Sequence, residues 1–310
     1  MKKAFIQLHI AVFLAGFTGI LGRLITLNEA LLVWYRLLIT SLVLWVIYAF
    51  KTNKVAASRS QILQASGIGF IIMLHWVTFY GGIKISTVST ALVCLSAMSF
   101  FTAILEPLLL RKPYDKIEIL LGLLVIAGIT IVFHFDPKYK TGILICLLSA
   151  FLASIFPVLN RGLLQHMDAD TATRYQLSGG FVFISLLLPV YLHFVPVTHW
   201  LPTLSDWIWL LVLAIICTVI AFDLFMKALQ KIPAFTVNLT YNLEPIYGIA
   251  LAFLIYREDK TLGSGFYYGF SLIITAVILQ TLRLRKISLQ KKSGSAGGNV
   301  TNQAPLGNRQ

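Results

Sequence analysis

The chain is laid out as a series of apolar stretches of about twenty residues with short breaks between them. About twenty residues is the length at which a helix crosses the hydrocarbon core of a bilayer. The stretches lie at about 4–24, 31–50, 62–83, 87–110, 117–135, 141–160, 174–195, 206–229, 234–256 and 262–282. Porin-type strands would be about half as long and would alternate in polarity. A run such as Ile119 to Phe133 shows no alternation. Only 12% of residues are charged, about half the share of a soluble domain. A soluble enzyme, a coiled coil and a disordered chain are thereby excluded. The expected fold is an all-α membrane protein of ten transmembrane helices.

The formal charge of +13 would raise nucleic acid in a soluble protein. Here the excess base sits in loops on one side of the membrane, and no nucleic-acid partner is expected. Cys94, Cys146 and Cys217 all fall inside apolar runs. An odd number of such thiols offers neither a disulfide framework nor zinc spacing, so no metal is expected.

Lys2 and Lys3 before an apolar run have the form of a secretory signal. No small-residue cleavage site follows at the right place, and the first run is read as a retained helix. With the N-terminus inside, the inner loops and ends hold eighteen Lys and Arg and the outer side six. That bias predicts both termini in the cytoplasm of a bacterial cell, with the chain in its cytoplasmic membrane. The basic, then Gly/Ser/Asn-rich segment 284–310 is expected to be disordered. Asn299-Val300-Thr301 has the form of a glycosylation acceptor, which is without meaning on a cytoplasmic tail.

The sequence repeats. An offset of 138 carries Phe13-Leu14-Ala15 onto Phe151-Leu152-Ala153, Arg23 onto Arg161 and Tyr35-Arg36 onto Thr173-Arg174. After the seventh run the offset becomes 147, carrying Lys84-Ile85 onto Lys231-Ile232 and Gly122 onto Gly269. Five runs per copy is an odd number, so the second copy enters the membrane from the opposite side. Two inverted five-helix repeats, 1–138 and 139–283, are the recurring plan of secondary transporters.

These features resemble the drug/metabolite transporter superfamily, specifically its ten-helix EamA type. The resemblance spans about residues 5–283. It is carried by Trp34-Tyr35-Arg36-Leu37, Thr173-Arg174-Tyr175, Ala228-Leu229-Gln230-Lys231-Ile232-Pro233-Ala234, and Leu243-Glu244-Pro245 followed by Arg257-Glu258. The first half departs from the pattern: Met98 stands at the position matching Pro245, and Arg111-Lys112 replaces the acidic residue expected near position 111. The resemblance implies import or export of amino acids, metabolites or drugs, without naming one.

Ionisable groups at membrane depth are costly, about 2.5–3.5 kcal/mol on insertion scales, so each of the few present is a candidate. Glu244 is expected near the middle of the ninth span. Pro245 beside it frees a backbone carbonyl near Tyr241. Asn238, Tyr241 and Glu244 share one helical stripe. The other reading of Glu244 is a structural carboxylate bonded to a neighbouring helix. His75, with Trp76 and Tyr80 nearby, either carries a coupling proton or is a neutral histidine bonded within the bundle. Asp223 matches Trp76 in the repeat and either serves the site or pairs with Lys227 one turn on. Arg36 and Arg174, matched in the repeat, suit a gate or packing role, or attract an anion. Glu106-Pro107 lies nine residues beyond the position matching Glu244, one turn from Arg111, and fits a local ion pair or a gate. The Gly-rich first run signals close helix packing.

There is no His-Glu-x-x-His, phosphate-binding loop or His/Cys cluster. No enzyme activity and no cofactor are expected. The expected function is a secondary transporter that moves a small-molecule substrate by alternating access, proton-coupled or not. Its surroundings are the lipid bilayer, as a monomer or homodimer. The alternatives are a channel, which needs rings of like polar groups from several subunits, and an intramembrane lipid-modifying enzyme, which needs a nucleophile or metal near one interface.

Overall fold

The computed structural model describes residues 2–52, 55–111, 113–135, 139–197, 199–229, 240–241 and 243–297. Among them the only regular structure is helical. Among the described residues, nine helices are long and apolar enough to cross a membrane, and a tenth apolar helix is shorter. They are α1 (Lys2–Leu24), α2 (Glu29–Ala49), α3 (Arg59–Ile85), α4 in two segments (Val88–Leu95 and Met98–Leu110) and α5 (Lys116–Phe135). The second half supplies α6 (Lys140–Leu163), α7 (Ala169–Phe194), α8, α9 (Glu244–Tyr256) and α10 (Ser264–Gly297). Helix α8 runs Leu204–Leu211, widens into a π-helix over Val212–Ile220 and resumes over Ala221–Leu229.

The helix starts follow from local chemistry. Asn28 caps α2 by accepting from the Ala30 N–H at 2.8 Å. Ser58 and Gln61 form a capping box at the start of α3, and Thr203 and Asp206 form one at the start of α8. Asp168 caps α7 through the Thr171 N–H. Helix α10 continues to Gly297, past the Leu284 where the sequence reading ended structure. Lys, Arg, Leu and Gln in that stretch all favour helix. Positions 298–310 lie outside the described residues.

The packing repeats with the chain. Helix α1 lies on α9 as α6 lies on α4; α3 lies on α6 as α8 lies on α1; α3 lies on α7 as α8 lies on α2. The pairs α2–α7, α4–α9 and α5–α10 meet across the pseudo-two-fold itself. In lipid the drive for such contacts is close approach rather than water exclusion. A Cβ added at Gly16 of α1 would stand 2.9 Å from the Glu244 carbonyl oxygen and 3.0 Å from the Gly248 nitrogen. Only glycine lets α1 and α9 cross there. Large apolar side chains such as Leu42, Leu63, Leu120, Leu186 and Leu254 point outward, a surface suited to lipid and not to water. The three cysteines are buried and free.

Candidate functional site

Helix α4 is interrupted, and α9 begins, at matching places, and the Leu243 amide bonds three residues back to Thr240 at 3.0 Å. Helix α4 breaks at Ser96-Ala97, whose amides bond three residues back, to Val93 at 3.1 Å and Cys94 at 3.0 Å. Its second segment has 13 residues and ends on Arg111 in the left-handed conformation, φ 51°. The Glu244–Tyr256 helix also has 13 residues and ends on left-handed Arg257, φ 54°. The offset between the two is 146, one less than the sequence reading used. Glu244 therefore matches Met98 rather than Ala97, and Pro245 matches Ser99. Pro245 sits in the first turn of α9, where its missing N–H costs nothing; residues 230–239 and 242 before it lie outside the described ones. Glu244 lies half-buried at that N-terminus. Its carboxylate acts electrostatically on the Tyr80 and Tyr241 hydroxyls.

Tyr241 packs edge-on against Phe225 at 5.3 Å, beside an apolar cluster of Ala4, Leu8, Val12 and Ala228. Asn238 lies outside the described residues, as does Lys231. Asp223 is exposed on the last segment of α8, and the Lys227 side chain is not among those described.

Arg36 is 3% exposed and turned into the bundle. Its Nε donates to Thr218 Oγ1 at 3.0 Å and its Nη1 to Tyr80 Oη at 2.8 Å. The guanidinium lies over the Trp76 ring, 3.5 Å from its centroid. Thr218 belongs to the π-helical stretch of α8 and donates in turn to the Leu213 carbonyl five residues back, at 2.7 Å. Insertions of this kind recur at functional sites. The cage thus joins α2 and α3 of the first half to α8 of the second. Sequence reasoning named Trp76 but assigned Thr218 no role; nothing local in the sequence marks it.

Arg174 is as deeply buried, with its guanidinium 3.5 Å from the Tyr48 ring centroid and 5.0 Å from that of Trp45. Its cage is built from α2 and its own helix, away from α8. His75 bonds across to α6: its Nδ1 lies 2.8 Å from Ser149 Oγ and 3.0 Å from the Ser149 carbonyl, and Ser149 Oγ donates back to the His75 carbonyl at 2.9 Å. That ties two helices together with neutral partners.

Each end of the bundle carries an ion pair between halves. Opposite the termini, Arg23 of α1 meets Glu258, just beyond α9, at 2.5 Å. The same carboxylate accepts the Val88 and Ser89 N–H groups at 3.1 and 2.8 Å, so it also closes the N-terminus of α4. On the side of the termini, Arg161 of α6 pairs with Glu106 of α4. Glu106 thus pairs across the halves, where the sequence reading had looked to its neighbour Arg111. Arg111 is carried away by the left-handed turn at the helix end. Arg23 and Arg161 are repeat equivalents, which the sequence reading used only as register marks.

Comparison with known proteins agrees with this architecture. The model of the EamA-like transporter family matches the chain twice, over residues 2–134 and 140–282. The chain belongs to the EamA-like transporter family. It is a multi-pass membrane transporter with repeated halves, embedded in a lipid bilayer. Among its relatives are two uncharacterized transporters of Bacillus subtilis (strain 168). YetK is 22% identical, with 82% of this chain and 80% of YetK covered. YxxF is 24% identical, with 84% and 86% covered. A solved crystal structure of a protein shares the fold with a TM-score of 0.62 at 16% identity, covering 93% of this chain and 99% of the other.

Proposed function

We propose that this EamA-family chain is a secondary carrier that moves a small organic solute across the bacterial cytoplasmic membrane. The two inverted halves, 1–138 and 139–283, exchange access to a site between them, and both termini face the cytoplasm. The observation that carries the reading is the break in α4 at Ser96-Ala97 and the start of α9 at Glu244, at matching places on helices that meet across the pseudo-two-fold. Discontinuous helices at a repeat interface place helix ends and unpaired backbone where a solute can bind. The ion pairs Arg23–Glu258 and Arg161–Glu106 span the halves at opposite ends, as two gates must.

Glu244 is the coupling residue: a carboxylate at a helix N-terminus between the halves, able to bind and release a proton as the access side changes. Tyr241, Trp76 and His75 belong to the walls of the path, and Asp223 to its mouth on α8. The test is counterflow in proteoliposomes. A preloaded solute should drive uptake of its labelled form against the gradient, which a channel does not do. Equilibration without overshoot for every solute that the purified protein binds would remove the carrier reading.

A further inference from the structure

We infer that Arg36 receives an anionic group of the transported solute, a carboxylate by its geometry; this rests on the carrier reading above. The guanidinium has five N–H donors. Two are spent, on Thr218 and Tyr80. Both acceptors are neutral hydroxyls, and among the described residues no carboxylate lies within ion-pair distance of Arg36. Arg23, Arg161 and Arg283 each have an acid. Arg36 is more deeply buried than any of them, within a membrane-spanning helix where a lone cation is most costly. The ring of Trp76 offsets part of that cost and leaves the guanidinium edge free. Three donors, two of them on Nη2, remain for an oxyanion. A planar guanidinium matches a carboxylate with two parallel bonds.

The location fits a solute better than a lipid headgroup. At 3% exposure Arg36 is enclosed by α3 and α8, inside the bundle and across the division between its halves. A group bound there touches both halves at once. The π-helical turn that sets the Thr218 hydroxyl toward Arg36 would be felt by any motion of α8 against α2. The repeat-matched Arg174 also lies between the halves, but its ring partners Trp45, Tyr48 and Tyr175 belong to α2 and α7, and among the described residues no hydrogen bond joins it to the π-helical stretch of α8.

The test uses the full chain in nanodiscs of neutral phosphatidylcholine. Hexanoate and hexanamide, and benzoate and benzamide, are titrated while thermal unfolding and tryptophan emission are followed. The acids should raise the unfolding midpoint in proportion to the logarithm of their concentration, and the amides should not. Emission should change with the same affinity, since Trp76 lies against the charge being neutralised. Arg36→Lys should bind the acids about tenfold to a hundredfold more weakly, the worth of a charge-assisted hydrogen bond, and Arg36→Gln should lose them. Equal shifts from acid and amide, no shift at the highest soluble concentration, or an Arg36→Gln protein that keeps its affinity would each overturn the proposal. Discs containing phosphatidylglycerol that show the full shift without solute, with the acids adding nothing, would overturn it in favour of a headgroup. If Arg36→Gln fails to fold, the acid–amide difference in the unaltered protein decides alone. Counterflow of the bound acid is scored separately: binding without it removes the carrier reading and leaves the anion site standing.

Discussion

Helices α4 and α9 are one joint built twice, and they differ where it matters. Both have a 13-residue segment that starts at a matching place and ends on a left-handed arginine. The first residue of that segment is Met98 in one and Glu244 in the other. The acid that closes the bundle beside them is Glu106 in the first half, at 24% exposure, and Glu258 in the second, at 1%. The backbone therefore follows the repeat while the charges do not. A two-fold in the backbone allows two access states of similar energy. On the carrier reading proposed above, the unequal charges would decide which state is favoured and where a proton can sit. With Glu258 bound by three donors and Glu106 partly hydrated, the side opposite the termini is the better sealed.

The largest expected effect separates Glu244 from Met98. Glu244→Gln keeps the volume and hydrogen bonding of the side chain and cannot ionise, so proton-dependent uptake should vanish while the protein still inserts and folds. Met98→Gln should retain uptake, because no proton is carried there. The measurement is solute uptake in proteoliposomes from about pH 5 to 8, the range in which a coupling group must titrate. Full activity of Glu244→Gln across that range removes Glu244 from the mechanism.

Next comes stability at the two gates. Glu258→Ala strips an acceptor from Arg23 and from two helix N-terminal amides, and should cost about 3 kcal/mol. Glu106→Ala breaks a partly exposed pair and should cost under about 1 kcal/mol. Reversible unfolding in detergent compares them. Equal losses would mean that burial of the acid does not distinguish the gates. Asp206, also on the sealed side, accepts from the Thr26 N–H at 2.7 Å and the Thr26 hydroxyl at 2.8 Å. Asp206→Asn should fall between the two, at about 1–2 kcal/mol.

The helical spans and the division into two halves were legible because apolar length and repeat spacing are one-dimensional properties. The burial of Arg36 and Arg174 was legible in part, since a charge inside an apolar run must find an environment. What surrounds each charge was not. The Arg161–Glu106 pair joins residues 55 apart, and Thr218 reaches Arg36 across 182. Periodicity carries no information on such meetings. That a helix starts at Glu244 was not legible either, because a proline inside a long apolar run does not by itself say on which side of it a helix begins. The register slipped by one because identities such as Lys84 and Lys231 lie in segments where either copy can gain or lose a residue, whereas the paired helix ends at Arg111 and Arg257 are set by geometry.

The smallest effect is a pH dependence confined to the first half. Asp115, before α5, pairs with Arg283 of α10. Its position in the second half is taken by Thr261, which does not titrate. Partial burial pushes the Asp115 carboxyl up, but the bond to Arg283 and the N–H groups of Glu118 and Ile117 outweigh it and hold the group below its ordinary 3.8. A carboxyl depressed in the folded state adds stability above its unfolded value, and that stability is lost as pH falls through the folded one. The contribution should thus be whole at neutral pH and disappear below about pH 4. The pair is partly exposed, 19% for Arg283 and 39% for Asp115, so it is worth under about 1 kcal/mol and weakens with salt. Asp115→Asn should lower the unfolding midpoint slightly at pH 7, by an amount that shrinks as the pH is taken below the ordinary 3.8. A deficit that does not shrink with falling pH would mean that the charge of Asp115 is not what stabilises the fold.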